Sequence, residues 1–331
     1  MKNSFALNRR KLLLGAAGGA AGLWLGMGSK LAMANSHPLR LILPLSVGSG
    51  GDAIARSATQ ALSEALNGRS VVVDNQPGAG GVIGTQAIVR AVPDGNTLGF
   101  VSNNHVIFPN VVKDLGFDPV QDITPISIVC TSPLLVVVRP GLPVENLQDL
   151  EKLLKEKPDQ YNFGSSGNGT ILHLAAEQFL KSSGAPSMHI PYRGTGPLIT
   201  AVLAGQVDWA VIALPAIAGL LQAGSLKAIA TATPERLKAV PELPTGVEQG
   251  YPDYVVEGWI GAIGPKGLSD DTVNTMYEAL KVAYSQPSVQ EAMEKQGNIV
   301  TLRPPAEARE YFASESKKYA DLAKAAGIVP Q

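Results

Sequence analysis

Strand-like and helix-like segments alternate along almost the whole of this sequence, and that alternation constrains its fold more than any other feature. The apolar runs Arg40–Leu45 and Val71–Val73 have the length and the β-branched content of buried strands. Asp52–Leu66 and Asn146–Lys157 repeat apolar residues at helical spacing, with Asn146 as a predicted N-cap. This pattern predicts α/β units on mostly parallel sheets.

The same pattern extends through the second half of the chain. We predict that Ser132-Pro133 breaks an apolar run into two strands, and that Ser269 caps a long helix marked by Val273 to Tyr284. No element is predicted from there to the last helix, Ala306 to about Ala325. The other predicted strands are Thr97–Val101, Ile126–Cys130, Leu134–Val138, Tyr161–Gly164, Met188–Pro191, Trp209–Ala213, Ala228–Ala232 and Val255–Ile263, and the other predicted helices are Gly81–Arg90, Thr170–Leu180, Pro197–Ala204 and Ala216–Gln222.

Four glycine-rich turns stand between a predicted strand and a predicted helix, at residues 48–52, 77–81, 164–170 and 192–196. The first N–H groups of a helix have no partner within it, and the helix dipole favours negative charge there. Glycine also lets a ligand approach the backbone closely. Any one such turn is better explained as a tight connection that binds nothing. Four of them, two in each half, favour a shared anion-binding cleft.

The N-terminus has the three parts of a secretory signal peptide. Asn8–Lys11 is basic, Leu12–Leu31 is apolar, and Ala32–Ala34 is an A-x-A site. We therefore predict export to the periplasm with cleavage after Ala34; an uncleaved membrane anchor is the alternative. The paired arginines leave the Sec and twin-arginine routes both open.

The charge balance of the predicted mature chain argues against some partners. Residues 1–34 contain five of the 27 Lys and Arg residues and none of the 28 Asp and Glu residues, so a net charge of −6 remains. A chain without a basic surplus is not expected to bind nucleic acid or acidic lipid. The mature length of 297 residues favours two domains.

The sequence offers no arrangement that we would interpret as catalytic. Gly48–Ala53 fits G-x-G-x-x-A and Asp74 ends the next strand, which is a weak dinucleotide-binding pattern. A G-x-S-x-G elbow is absent because Asn168 replaces its last glycine. We interpret His173 and the single cysteine, Cys130, as buried residues, and the four histidines lack metal spacing. We therefore predict a protein that is not an enzyme and that has no cofactor and no metal.

Long stretches resemble the substrate-binding receptors of tripartite tricarboxylate transporters, the Bug-type extracytoplasmic solute receptors. The resemblance covers nearly the whole mature chain. The stretches that carry it are DNQPGAGGVIGTQAIVRAVPDGNTLGF (74–100), FDPVQDITPIS (117–127), SSGNGTILHLAAEQF (165–179), IPYRGTGPLITAVLAGQVD (190–208) and AGSLKAIATATPERLKAVPELPTGVEQGYPDY (223–254).

The resemblance implies a two-lobed α/β fold, the type II periplasmic binding protein fold, with a hinge between its lobes. The implied lobes are residues 35–130 plus 254–331 and residues 131–253. It also implies that the lobes close on a small organic carboxylate, held by backbone amides, small hydroxyl groups and water. The implied partners are this ligand and the permease subunits of the transporter, and the implied state is a monomer.

Two departures from the family pattern affect the predicted contacts. Gly51 stands where the family has a hydroxyl residue, and Gln76 replaces its usual arginine. Arg193 is either a counter-charge for the ligand or a solvent-facing residue, Asp52 a cap or loop organiser, and Asp208 is implied to lie near the cleft floor. The full set of predicted ligand-binding residues is Ser46, Gly48, Ser49, Gly50, Asp52, Gly78, Ala79, Gly80, Asn103, Ser165, Ser166, Gly167, Thr170, Arg193, Gly194, Thr195, Gly196 and Asp208.

Three functions remain open from the sequence. A transport receptor delivers its ligand to a permease, and a sensory receptor of the same fold presents its closed form to a membrane sensor. An exported dehydrogenase would instead bind a nicotinamide cofactor at Gly48–Asp52.

Overall fold

The computed structural model of the protein describes residues 37–158, 160–325 and 330. The predicted signal peptide lies outside these residues. Within them, no helix combines the length and the apolar character that a membrane crossing requires.

Ten strands and ten α-helices alternate along the described chain, as the sequence pattern predicts. The strands are β1 (Leu39–Leu43), β2 (Val71–Asn75), β3 (Thr97–Ser102), β4 (Ile123–Val138), β5 (Asn162–Ser165), β6 (Met188–Pro191), β7 (Trp209–Ala213), β8 (Lys227–Thr231), β9 (Glu257–Pro265) and β10 (Ile299–Arg303). The helices are α1 (Gly50–Ala65), α2 (Val82–Val89), α3 (Asn104–Ile107), α4 (Leu147–Glu156), α5 (Ile171–Ser183), α6 (Thr195–Leu203), α7 (Leu214–Gln222), α8 (Asp270–Tyr284), α9 (Pro287–Lys295) and α10 (Pro305–Ala325).

The long strand β4 divides the sheet into two groups of strands. Over Ile123–Pro133 it pairs with β9, and within that span residues 128–131 also pair with β10. Over Leu134–Val138 it pairs with β7 and β8. The full order is β2-β1-β3-β9-β4-β7-β5-β6, with β8 and β10 paired to β4.

The prediction of a break at Ser132-Pro133 is wrong, because β4 runs through both residues. Proline lacks only an N–H, and its fixed φ is compatible with extended backbone. Pro133 is the last β4 residue paired with β9, immediately before β4 changes partners at Leu134. The missing N–H therefore falls where the pairing changes.

The predicted mostly parallel sheet is also wrong. Pairs within β1–β3 and within β5–β7 are parallel, whereas every pair that β4 makes is antiparallel, as is the pair β3–β9. The sequence analysis also missed α9 and β10. Both follow a helix closely, and β10 is only half-buried, so its apolar signal is weak.

Side-chain caps fix where several helices begin. Ser49 accepts the N–H of Asp52 at the start of α1, and Thr170 accepts the N–H of His173 at the start of α5. The predicted caps Asn146 and Ser269 are confirmed at α4 and α8. These caps position the first turns of α1 and α5 at the carboxyl ends of β1 and β5, where α/β sheets bind ligands.

Candidate functional site

An open cavity, here called the outer cleft, lies between the loops that follow β1, β2, β5 and β6. Its volume is about 710 Å³. Three of the predicted glycine-rich turns line it, at residues 77–81, 164–170 and 192–196, and they come from both groups of strands. The predicted turn at residues 48–52 does not line it; Pro44, Leu45 and Ser46, which precede that turn, do. Its lining residues are Pro44, Leu45, Ser46, Pro77, Gly78, Ala79, Gly80, Gly81, Ile83, Asn104, Val111, Val112, Ser166, Gly167, Asn168, Pro191, Tyr192, Arg193, Gly194 and Thr195.

A smaller cavity, here called the inner chamber, lies against the outer cleft. The two share Leu45, Asn104, Ser166 and Thr195, and the chamber has a volume of about 60 Å³. At about 30 Å³ per water, that is room for roughly two waters or one carboxylate group. No lining residue carries a charge. They are Leu45, Ser49, Gly50, Gly51, Ser102, Asn103, Asn104, Ser132, Leu134, Ile171, Leu172, Ser166, Thr195, Ala213, Gly258, Trp259 and Ile260.

Four helices of nine residues or more begin at the inner chamber, in addition to the short α3 at Asn104. α1 starts at Gly50, α5 at Ile171 and α6 at Thr195, while Ala213 immediately precedes α7. The N–H groups of Gly50 and Gly51 donate to no described residue. Since a helix N-terminus attracts negative charge by a few tenths of a kcal/mol up to about 1 kcal/mol, four of them give this uncharged chamber a positive potential.

The loops around the two cavities touch one another across the site. The N–H of Thr195 donates to Ser46 Oγ at 3.1 Å, and the N–H of Ile171 donates to Asn104 Oδ1 at 2.8 Å. Asn104 Nδ2 also donates to the carbonyl oxygen of Gly80 at 3.0 Å. Gly194, with φ at +117°, packs so closely that a Cβ there would lie 2.6 Å from Ser46 Oγ. Loops from the two groups of strands are therefore in direct contact across the site.

Asp52 organises the first glycine-rich loop, as predicted, and does not line either cavity. Its carboxylate accepts hydrogen bonds from the Gly48 N–H at 3.0 Å, from Arg56 Nε at 2.8 Å and from Asn75 Nδ2 at 3.0 Å. The side chain is 4% exposed. The N-cap itself is Ser49.

The loop Ser165–Thr170 rests on two stacked histidines. The rings of His173 and His189 lie 3.8 Å apart between centroids. His173 Nδ1 accepts the N–H of Gly169 at 3.0 Å, and His189 Nε2 lies 2.6 Å from Ser165 Oγ. Burial, reinforced by the neighbouring His173, lowers the pKa of His189 from 6.5 to about 4. A neutral His189, stacked on the ring of His173, therefore supports this loop.

The predicted ligand-binding residues of the loop Ser165–Thr170 divide into two groups. Ser166 and Gly167 line the outer cleft, and Ser166 also lines the inner chamber. Ser165 and Thr170 face inward and bond to their own loop, since each hydroxyl donates to the carbonyl oxygen of Gly167.

Asn103 lines the inner chamber but uses its side chain to tie three segments together. Its Oδ1 accepts the N–H of Trp259 at 2.9 Å. Its Nδ2 donates to the Glu257 carbonyl oxygen at 3.1 Å and to Tyr319 Oη at 2.7 Å. Asn103 is completely buried.

Arg193 is exposed at the outer cleft, and it makes no ion pair with any described residue. It lies beside Gly194 and Thr195, whereas Gly196 packs against the Val47 carbonyl oxygen. Both interpretations of Arg193 are therefore compatible with its position.

The predicted position of Asp208 near the cleft floor is wrong. Asp208 precedes β7 and thus lies at the amino end of the parallel strands, opposite the cavities. Its carboxylate pairs with Arg139 Nε at 2.8 Å and accepts the N–H of Asn162 at 2.9 Å. These bonds hold the start of β5 and β7.

Sequence reasoning missed several chamber residues, above all Ser102, Asn104, Ser132 and Trp259. Asn104 had a signal, since it is the second residue after β3, at the carboxyl edge of the sheet. Ser132 had none, because strand periodicity does not reveal which hydroxyl lacks a partner. Its Oγ is buried and has no hydrogen-bond partner.

Other candidate chemistry finds little support in the described residues. The Asp74 carboxylate is held by Arg40 Nε at 2.8 Å, so it is engaged where the dinucleotide pattern needs it free. Cys130 is confirmed as buried, and burial raises the pKa of its thiol. His, Cys, Asp and Glu side chains form no group suited to a metal ion in the described part of the chain.

Comparison with solved structures identifies the fold. BugD, a periplasmic binding protein, superposes with a TM-score of 0.86 at 29% identity, over 89% of this chain and 99% of BugD. MatC from Rhodopseudomonas palustris, solved with bound malate, gives 0.83 at 25% identity over 87% and 99%. A further R. palustris protein, solved with adipate, gives 0.86 at 27% identity over 90% and 99%. The predicted two-lobed periplasmic binding protein fold is confirmed.

Sequence comparison agrees with this result. Protein BugT of Bordetella pertussis is 30% identical over 294 residues, which are 88% of this chain and 90% of BugT. The family model of the tripartite tricarboxylate transporter family receptor, TctC, matches residues 54–328. The protein is therefore a member of the tripartite tricarboxylate transporter receptor family, as its resemblance to the Bug-type receptors predicts.

Proposed function

We propose that this protein is a periplasmic receptor that captures a small organic carboxylate between its two lobes and delivers it to a tripartite transporter in the membrane. One observation carries the proposal. Four helix N-termini converge on an uncharged chamber where the N–H groups of Gly50 and Gly51 have no described acceptor. An anion the size of one carboxylate group satisfies both the donors and the volume.

The rest of the ligand extends into the outer cleft. Its inner carboxylate takes the amides of α1, and its outer end lies near Arg193. The similarity to structures solved with malate and with adipate supports this arrangement, since both ligands carry a carboxylate at each end. We therefore favour a dicarboxylate over a tricarboxylate.

The lobes are residues 35–130 plus 254–331 and residues 131–253, and they close about two chain crossings. The pairing of β4 supports this division, because its partners change between Pro133 and Leu134. At the other crossing, the N–H of Val256 donates to Ala232 and Glu257 then pairs with Pro133. Closure is favoured only by contacts that the open state lacks, and Thr195–Ser46 is one of them.

Export with cleavage after Ala34 places the receptor in the periplasm, and it acts without catalysis, cofactor or metal. A thermal-shift screen of residues 35–331 against organic acids, with NAD and NADP as controls, tests the function. At about 1,000 times Kd a ligand adds about 4 kcal/mol, which raises Tm by roughly 2–4 °C per kcal/mol. A shift with a dicarboxylate alone supports the receptor, whereas a shift with NAD alone overturns it.

A further inference from the structure

Among the described residues that line the inner chamber, Ser132 is the one whose side-chain hydroxyl is buried and has no hydrogen-bond partner. It lies in β4, one residue before Pro133, and it lines the inner chamber. Its exposed fraction is 5%, and its Oγ has no hydrogen-bond partner. Leaving a buried hydroxyl unpaired costs free energy, so such a group calls for an explanation.

The rest of the chamber lining indicates which kind of hydrogen-bond partner the Ser132 hydroxyl would have. Its other polar side chains are largely committed: Ser49 caps α1, Asn103 bonds to Trp259, and Asn104 bonds to Ile171. The donors that bond to no described residue include the N–H groups of Gly50 and Gly51 and the Ser132 hydroxyl. Donors of this kind around an uncharged space match a carboxylate, which accepts several hydrogen bonds and donates none.

We propose that Ser132 is a ligand-binding residue, whose hydroxyl donates a hydrogen bond to the carboxylate held in the inner chamber. This inference rests on the proposed function. Ser132 also lies close to the point where β4 changes its pairing, since Pro133 is the last residue paired with β9 and Leu134 the first paired with β7. A ligand bonded to Ser132 contacts the crossing strand itself as well as the loops of both lobes.

Ser127 provides a matched control on the same strand. Ser127 is also buried, but its Oγ donates to the Arg303 carbonyl oxygen at 2.9 Å, and it lines neither cavity. Ser127→Ala therefore removes a satisfied hydroxyl, and Ser132→Ala removes an unsatisfied one. The two variants separate a structural serine from a ligand-binding one.

The experiment measures Tm without ligand and calorimetric affinity for malate and adipate in the wild type and both variants. We expect Ser132→Ala to keep or raise the ligand-free Tm and to weaken binding of whichever acid the wild type binds by about tenfold or more. Ser127→Ala should lower Tm and leave the affinity within about twofold.

The results that overturn the inference are distinct from those that overturn the function. If the wild type binds an acid and Ser132→Ala binds it equally well, Ser132 does not contact the ligand. A Tm loss in Ser132→Ala equal to that in Ser127→Ala, with unchanged affinity, gives the same conclusion. If the wild type binds neither these two acids nor any other in the screen, the proposed function fails, and this contact fails with it.

Discussion

The inner chamber and the outer cleft share four lining residues but differ in what they offer a ligand. The chamber is small, has no charged lining residue and presents backbone N–H groups from the start of α1. The cleft is more than ten times larger and carries the exposed Arg193. The difference indicates that the two cavities have separate roles. The chamber recognises the carboxylate group common to many acids, and the cleft accommodates the rest of the ligand, which differs from one acid to another.

The largest expected loss of affinity comes from a side chain that fills the inner chamber. Gly50 has ordinary helical backbone, and a Cβ there would lie 3.2 Å from the Ala213 Cβ. Gly50→Val should weaken binding of every acid roughly 5- to 150-fold, because overpacking a close contact costs about 1–3 kcal/mol. Calorimetric titration measures the loss.

The matched control for that variant is Gly219→Val in α7, where a Cβ meets nothing within 4 Å. It should leave affinity unchanged. Equal affinities in wild type and Gly50→Val would show that the ligand does not need the chamber.

Lowering the pH should destabilise the lining of both cavities, because Ser166 lines both and the loop that carries it rests on His173 and His189. The folded-state pKa of His189 lies near 4, below its ordinary 6.5, so the unfolded chain takes up the proton first as pH falls. The contribution of His189 to the free energy of unfolding is therefore fully present above pH 6.5 and is lost as the pH falls from about 6.5 towards 4. Buried His105, with its pKa also near 4, acts in the same direction.

The measurement is Tm against pH in the wild type and in His189→Gln. The variant should lose less stability between pH 7 and pH 5, with the remaining slope due in part to His105. Parallel curves would exclude His189 as a source of the acid sensitivity.

A finer test removes a single hydroxyl from the boundary of the two regions. Thr195→Val and Ser166→Ala should each weaken binding by about 2- to 12-fold, since one hydrogen bond contributes about 0.5–1.5 kcal/mol. Adipate and hexanoate should be affected alike if both place a carboxylate in the chamber. Unchanged titrations of both variants would rule out these contacts.

The smallest expected effect belongs to Arg193. Because the side chain is exposed, Arg193→Gln should cost only about 0.2–1 kcal/mol, or roughly 1.5- to 5-fold in affinity. The loss should appear with adipate and not with hexanoate, which lacks the outer carboxylate. An equal loss with both acids would contradict the assignment of the outer end to the cleft.

The glycine-rich loops could be predicted from the sequence because their chemistry is local. A turn between strand and helix needs residues such as Gly194 that adopt positive φ, so the positions of four such turns predict the walls of the cavity. Ser49, Thr170 and the Asp52 network obey the same short-range rules of capping, although the sequence analysis named neither Ser49 nor Thr170 as a cap.

The remaining features depend on contacts distant in sequence. The Ser132 hydroxyl has no hydrogen-bond partner because of where β4 passes between two groups of strands. No local sequence pattern encodes that position. The error at Asp208 was avoidable, because a residue just before a strand lies at the opposite end of the sheet from one just after it. The antiparallel pairs of β4 likewise required knowledge of which distant strands it meets.

A crystal structure of the complex with adipate tests the central claim most directly. The account predicts one carboxylate in the inner chamber, within hydrogen-bonding distance of the Gly50 and Gly51 N–H groups and of Ser132 Oγ, with the other near Arg193. Both carboxylates in the outer cleft, and the chamber filled by water alone, would contradict it.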